Sequence, residues 1–275
     1  MRSNGPVMIA LPPFRGLTRR LILVAGASFL LFFILGIVSP GLSGTVASLL
    51  VLRPELGPPL VWQVLTWPFI AEGLLGLLFA LLSLWYFGSS LEEERGTRWF
   101  GELFFFTSIG GAVLAVILSL TLGRFVPIGG NGSYSSGLWP VVLALLLAFA
   151  RLHPDESMTF NFIIRARAKY IAAIFLLVYL AVDIFTARRF DALNTICNGI
   201  CAFLFLQIVP RRGLRHLASE GWFGMRNRYY RGRRRRSAKK FQVYMRKQGK
   251  EVNIDSSGRY VGLDDEDPTD RRRMN

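Results

Sequence analysis

Histidine and cysteine are scarce in this 275-residue chain, which has two of each. Cys197 and Cys201 stand four apart in an apolar run, where one helix would place them on a shared face but too far apart for an unstrained disulfide. A disulfide-stapled secreted scaffold is therefore excluded, and a packing role is favoured for both thiols. No cofactor and no metal site are predicted. The two histidines are His153 and His216.

Acidic residues are also few, since 18 Asp and Glu stand against 33 Lys and Arg, and yet 52% of the residues are hydrophobic. The charge and the hydrophobicity occupy different parts of the chain. Residues 1–210 carry 14 basic and 10 acidic residues, whereas residues 211–275 carry 19 and 8. This division predicts three parts: an N-terminal segment at 1–20, a membrane domain at 21–210 and a basic tail at 211–275. A soluble enzyme and a free nucleic-acid-binding domain fit poorly.

Long uncharged runs predict an all-α membrane protein with six transmembrane helices, because a helical span of the hydrocarbon core takes about 20 residues. The first run, 21–38, lies where a signal peptide would, but it is too long and lacks a clear cleavage site. Residues 41–69 contain four prolines and are predicted to form a long first loop along the membrane surface. The predicted spans are 21–38, 73–91, 103–123, 137–150, 170–187 and 192–210.

The fourth run, 137–150, has 14 residues and is too short to cross the membrane alone. A polar, glycine-rich stretch at 129–136 precedes it. Irregular backbone at membrane depth is tolerated where protein surrounds it or where it lines a wet cavity. The sequence thus predicts a short helix that starts inside a protein-walled cavity.

Basic residues near the spans predict that both termini lie in the cytoplasm. Ten basic residues fall in the predicted inner segments before the tail, against four in the outer loops. A bacterial inner membrane is the predicted location. The outer four are Arg53, Arg124, Arg188 and Arg189.

Three motifs follow one another between residues 62 and 100. WQVLTWPF at 62–69 ends the first loop, LWYFG at 84–88 ends the second span, and LEEERGTRWF at 91–100 forms the next turn. This order resembles the rhomboid family of intramembrane serine proteases over residues 20–210. The resemblance implies a six-helix bundle with a serine nucleophile starting the fourth helix, a histidine base on the sixth, and an oxyanion-stabilising histidine and asparagine on the second.

At these positions the sequence has residues other than those of the family pattern. Aligning the second helix places Gly76 and Ala80 at the oxyanion positions, where neither side chain can donate a hydrogen bond. Aligning the fourth helix without gaps places Trp139 at the serine position. A slip of three residues would make Ser136 the nucleophile instead, and this alternative stays open.

The sixth span has no histidine at all. It contains Asn194, Thr195 and Asn198, which could hydrogen-bond across helices where the family's base would lie. The only lysine before the tail, Lys169, falls at the inner end of the fifth span, too far from the site to replace the base. The resemblance thus leaves the enzyme class open but favours a member without peptidase activity.

Asp183 lies within the fifth apolar run, where a carboxylate is costly to bury. Anchoring at the outer interface is favoured because Arg188 and Arg189 lie close to it in sequence. A functional role is the alternative.

The tail is predicted to be partly disordered, and its basic block from residue 226 to 250 includes interleaved aromatic residues. Contact with anionic lipid is favoured, because such segments next to a membrane span attract acidic headgroups. Binding to RNA, DNA or ribosomes is the alternative. The residues predicted to contact lipid are Arg231, Arg233, Arg234, Arg235, Arg236, Lys239 and Lys240.

These observations favour an inactive rhomboid-like pseudoprotease that binds or retains transmembrane client proteins. Two alternatives remain: an active intramembrane serine endopeptidase with an atypical site, and a membrane-tethered binder of lipid or nucleic acid that acts through the tail. Client identity and oligomeric state are not predicted.

Overall fold

The computed structural model describes residues 14–54, 61–71, 73–123, 133–155, 157–160 and 164–209, together with scattered positions between 223 and 261. The chain divides into two compact units, residues 1–214 and 215–275. The first unit is built from helices, most of them long and apolar. The second unit, at its described positions, contains helical residues from 223 to 247 and a short hairpin of β3 (Asn253–Ile254) and β4 (Tyr260–Val261).

Five helical segments are long and apolar enough to span a membrane, and a shorter apolar helix accompanies them. The prediction of an all-α membrane protein is confirmed. The spans are α1 (Gly16–Val38), the segment Leu74–Arg95, α6 (Thr97–Leu122), α8 (Ala168–Phe185) and α9 (Arg189–Ile208), and the shorter helix is α7 (Trp139–Leu152).

The second span is not one regular helix. It consists of α4 (Leu74–Ser83), a π-helical segment (Leu84–Gly88) and α5 (Ser89–Arg95). A Cβ on Gly88 would lie 3.1 Å from the ring of Phe100 and 3.2 Å from the methyl group of Thr18. The π turn therefore brings its backbone close to α1 and α6, which a larger residue at 88 would obstruct.

The first loop contains helices that the sequence did not predict. Pro40 begins α2 (Pro40–Leu50), where proline suits the first helical turn. A short α3 (Gln63–Thr66) follows, and then a 3₁₀ turn at Trp67–Phe69. The hairpin of β1 (Ser157–Phe160) and β2 (Ile164–Arg167), which connects α7 to α8, was not predicted either.

The core surrounds α7, ten of whose residues are buried. α9 packs against both α6 and α7, and α8 and α4 also contact α7. At about 1.5 Å per residue α7 reaches only about 21 Å, less than the hydrocarbon core, and Pro140 in its first turn is buried. We call the end of the bundle that holds Gly16, Glu92 and His153 the proximal end, and the end that holds Ser135, Asp183 and Asp191 the distal end.

Candidate functional site

The residues that lead into α7 are held in an extended conformation at the distal end. Ser135 exchanges two backbone hydrogen bonds with Leu52 of the first loop, at 2.8 and 3.0 Å. The N–H of Gly137 donates to the carbonyl of Trp67 at 3.0 Å, and Gly137 has a φ of +88°, which glycine adopts without strain. These contacts fix the positions of Ser135 and Ser136 before the helix starts.

Ser135 belongs to a buried polar cluster that the sequence did not predict. Its hydroxyl donates to the carboxylate of Asp191, and Nδ2 of Asn194 donates to the Ser135 hydroxyl oxygen at 2.8 Å. The hydroxyl of Tyr179 donates to the same carboxylate at 3.2 Å, while Arg188 Nη1 lies 3.9 Å from it. The cluster connects the start of α7 to α8 and α9.

The signal for this cluster is present in the sequence. Asp191 and Asn194 are three residues apart in the first turns of α9, so they share one helix face. The family pattern points to Ser136, and the neighbouring Ser135 also has a polar partner, the carboxylate of Asp191. Ser135 and Asp191 are both 1% exposed.

A cavity of about 290 Å³ lies beside this cluster, between α4, α7 and α8. The structure brings four predicted site residues together on its wall: Gly76, Ala80, Ser136 and Trp139. Other parts of the wall are polar or charged, namely Tyr179, Asp183, Thr186 and Arg188.

Trp139 occupies the part of this cavity nearest to α4. A Cβ on Gly76 would lie 3.8 Å from Nε1 of the Trp139 indole, in ordinary contact. On its other side the indole faces the ring of Tyr179, with the ring centroids 6.2 Å apart. The large side chain thus stands between α4 and α8, at the position that the ungapped comparison gave to the family's serine.

Asp183 is buried, with 3% of its surface exposed, and it lines the cavity. Its backbone carbonyl accepts a hydrogen bond from the N–H of Arg188 at 2.8 Å, which closes the turn between α8 and α9. Asp183 thus belongs both to the end of α8 and to the cavity wall. A functional role for Asp183, the alternative to anchoring at the interface, remains a prediction.

Asn198 lies away from the cavity. It is fully buried, and its Nδ2 donates to the backbone carbonyl of Asn194 at 2.8 Å and to the Oδ1 of Asn194 at 2.9 Å. A Cβ on Gly111 of α6 would lie 2.7 Å from this Nδ2. The structure therefore places Asn198 in the contact between α9 and α6 and does not bring it together with Ser136.

In the described part of the membrane domain, neither the histidine nor the lysine lies near Ser135 or Ser136, where a catalytic base would be needed. His153 lies at the proximal end, with its Nε2 3.1 Å from Oε2 of Glu94. Lys169 lies at the same end, where its Nζ is 3.5 Å from Oδ1 of Asp155. His216 lies outside the described residues. No group of three His, Cys, Asp or Glu side chains in the described ranges could hold a metal ion.

Two of the tail residues predicted to contact lipid, Arg233 and Lys240, are helical and exposed. The other five lie outside the described residues, as does most of the stretch predicted to be disordered. They are Arg231, Arg234, Arg235, Arg236 and Lys239.

Two comparisons with known proteins bear on this geometry. The family model described as "Eukaryotic integral membrane protein (DUF1751)" matches residues 20–220. The chain is also similar to Rhomboid-like protein 19 of Arabidopsis thaliana, with 23% identity over 172 residues, which cover 59% of this chain and 53% of that protein. The chain thus spans about half the length of this curated relative. The eukaryotic family contradicts the prediction of a bacterial inner membrane, which rested on topology signals that bacterial and eukaryotic membranes share.

Proposed function

Since the chain belongs to the DUF1751 family of eukaryotic integral membrane proteins and is a rhomboid-like polytopic membrane protein, we propose that it has no peptidase activity and binds transmembrane client helices at its distal cavity. The observation that carries the proposal is the side chain of Trp139, which lines the cavity at the position that the ungapped comparison gives to the family's nucleophile. The membrane domain thus has a cavity in which an indole takes the position of the reactive hydroxyl.

The distance of His153 and Lys169 from both serines, at the opposite end of the membrane domain, supports the absence of peptidase activity. A serine hydroxyl is a weak nucleophile unless an adjacent group takes its proton. The partner of Ser135 is the carboxylate of Asp191, which also accepts from Tyr179, and Ser135 is nearly inaccessible. This arrangement serves to fix the start of α7.

The walls of the cavity support the binding of a helix. Val182 on α8 lines the cavity and is exposed, and α4 has exposed apolar side chains such as Phe79. Ser136 and Asp183 are polar residues of the same wall. A client helix with a broken turn has backbone N–H and C=O groups that need hydrogen-bond partners within the membrane. The polar residues of the cavity wall would supply these partners, and the apolar residues would pack against the rest of the helix.

Photo-crosslinking in proteoliposomes tests this function. p-Benzoylphenylalanine replaces Val182, which lines the cavity and is 52% exposed, or Ile117 on α6, which is 51% exposed and serves as the matched control. The client is a synthetic single-span helix with a Gly-Pro break in its distal half. We expect it to crosslink several-fold more from position 182 than from 117, and to remain intact.

An unbroken leucine-alanine helix of the same length is expected to crosslink equally from both positions. Equal crosslinking of the broken helix would contradict the client-binding proposal. Cleavage of the broken helix, or labelling by a fluorophosphonate that Ser135→Ala or Ser136→Ala abolishes, would contradict the absence of peptidase activity.

We also propose that the proximal end faces the cytoplasm, because Arg95, Arg98, Arg151 and Lys169 collect at that end. An impermeant maleimide added to sealed vesicles of known orientation tests this. Glu93→Cys is expected to react from the cytoplasmic side and Thr186→Cys from the opposite side. The native thiols are buried and provide a low background. The reverse pattern would contradict the proposed topology.

The basic tail is proposed to contact anionic lipid as a unit separate from the membrane domain. The division of the chain at residue 214 supports the separation, and the exposure of Arg233 and Lys240 supports their availability to a negatively charged surface.

A further inference from the structure

A second cavity, of about 330 Å³, opens at the proximal end between α7, α8 and α9. Each helix contributes one face to it. Leu147 and Arg151 are one turn apart on α7, Lys169 and Ala173 are one turn apart on α8, and Gly199 and Phe203 are one turn apart on α9. None of these residues lines the distal cavity.

The deep part of this cleft is apolar, and several of the residues that line it are small. Gly199 has no side chain to fill it, and a Cβ there would lie 3.2 Å from Cδ1 of Leu147. Ala172 and Ala173 form the wall on α8, and Phe203, 46% exposed, forms the wall on α9. Because α8 and α9 are long and apolar enough to span a membrane, we expect this part of the cleft to contact hydrocarbon.

The mouth of the cleft is positively charged. Arg151 is exposed and has no carboxylate within 4.0 Å among the described residues. Lys169 Nζ lies 3.5 Å from Oδ1 of Asp155, and the same oxygen lies 3.7 Å from Nη1 of Arg167. Asp155 thus lies close to two of these three cationic side chains, and the described side chains leave an excess of positive charge at the mouth of the apolar cleft.

We propose that this cleft binds one glycerophospholipid with an anionic headgroup. The phosphate lies between Arg151 and Lys169, and one acyl chain follows the apolar faces of α8 and α9. Basic pockets between spans bind acidic headgroups in this manner.

Native mass spectrometry of the full-length protein, released from detergent with phosphatidylserine or phosphatidylcholine of the same acyl chains, tests the proposal. We expect one phosphatidylserine to bind in preference to phosphatidylcholine. Arg151→Gln with Lys169→Gln is expected to weaken this binding by roughly 25-fold, or about 5-fold for each charge removed. Arg98→Gln, which removes a basic residue of the proximal end outside the cleft, is the matched control and is expected to change it little.

The acyl-chain part of the site has its own test. Ala173→Trp fills the cleft and is expected to displace the bound lipid, whereas Ile174→Trp, on the neighbouring exposed position outside the cleft, is expected to leave it bound. Glycerophosphoserine without acyl chains is expected not to compete at the same concentration. Equal binding by the two tryptophan variants, competition by the free headgroup, or an unchanged double glutamine variant would each overturn the proposal, the last because the tail would then hold the lipid.

Discussion

Replacing Glu92 by alanine is expected to lower the free energy of unfolding by about 3 kcal/mol, because this carboxylate holds the start of α1. Its Oε1 accepts from the N–H of Leu17 at 2.7 Å, and its Oε2 accepts from the N–H and the hydroxyl of Thr18 at 2.9 and 2.7 Å. Two of the first N–H groups of α1 would lose their partners. Unfolding by denaturant in detergent micelles, followed by circular dichroism, measures the change.

Three variants separate this contact from a general effect of charge. Glu93→Ala removes the adjacent, exposed carboxylate and is expected to change stability by less than about 0.5 kcal/mol. Thr18→Val removes one of the three bonds and should cost about 1 kcal/mol. The loss of stability in Glu92→Gln should be larger than in Thr18→Val and smaller than in Glu92→Ala. If Glu92→Ala and Glu93→Ala proved equally stable, the carboxylate would have no such role at the start of α1.

Gly16 explains why the chain can approach Glu92 so closely. Its φ is +71°, a conformation that glycine adopts without strain, and a Cβ at this position would overlap the Glu92 carboxylate. The sequence contained both residues, and Glu92 belongs to the turn motif of the family resemblance. The sequence alone does not show why Glu92 is needed in this motif, because its hydrogen-bond partner lies about 75 residues away along the chain.

The membrane helices were predictable because their signal is local. Uncharged runs of sufficient length mark α1, α6, α8 and α9, and each observed end differs from the predicted one by at most six residues. Short helices such as α2 cannot be recognised in the sequence by the length of an uncharged run. α2 was predicted as loop because prolines surround it, although Pro40 itself starts the helix.

The site was predictable only in part, for a physical reason. Gly76, Ala80 and Trp139 could be placed on one cavity because helical spacing and a family pattern fix their relative positions. The partners of Ser135 could not be placed in this way. Its hydrogen bonds reach Asp191 and Asn194, more than 50 residues away, and depend on how α9 packs beside α7.

Gly111 in α6 also depends on how the helices pack, and its replacement is expected to have the second large effect on stability. A Cβ at this position would lie 2.6 Å from Cγ of Asn198 and 2.8 Å from its Cα. Gly111→Ala is therefore expected to force α6 and α9 apart and to lower the free energy of unfolding by about 2–3 kcal/mol. The same denaturation experiment in micelles measures it.

Gly26→Ala in α1 is the matched control, since a Cβ there meets nothing within 4 Å. It is expected to be neutral or to stabilise the helix by up to about 1 kcal/mol, as alanine is the better helix former. Asn198→Ala combined with Gly111→Ala should recover only part of the loss, because truncating the side chain leaves the Cα of residue 198 in place. A full recovery would show that the amide group alone sets the spacing of α6 and α9, and an unchanged stability of Gly111→Ala would contradict the close crossing itself.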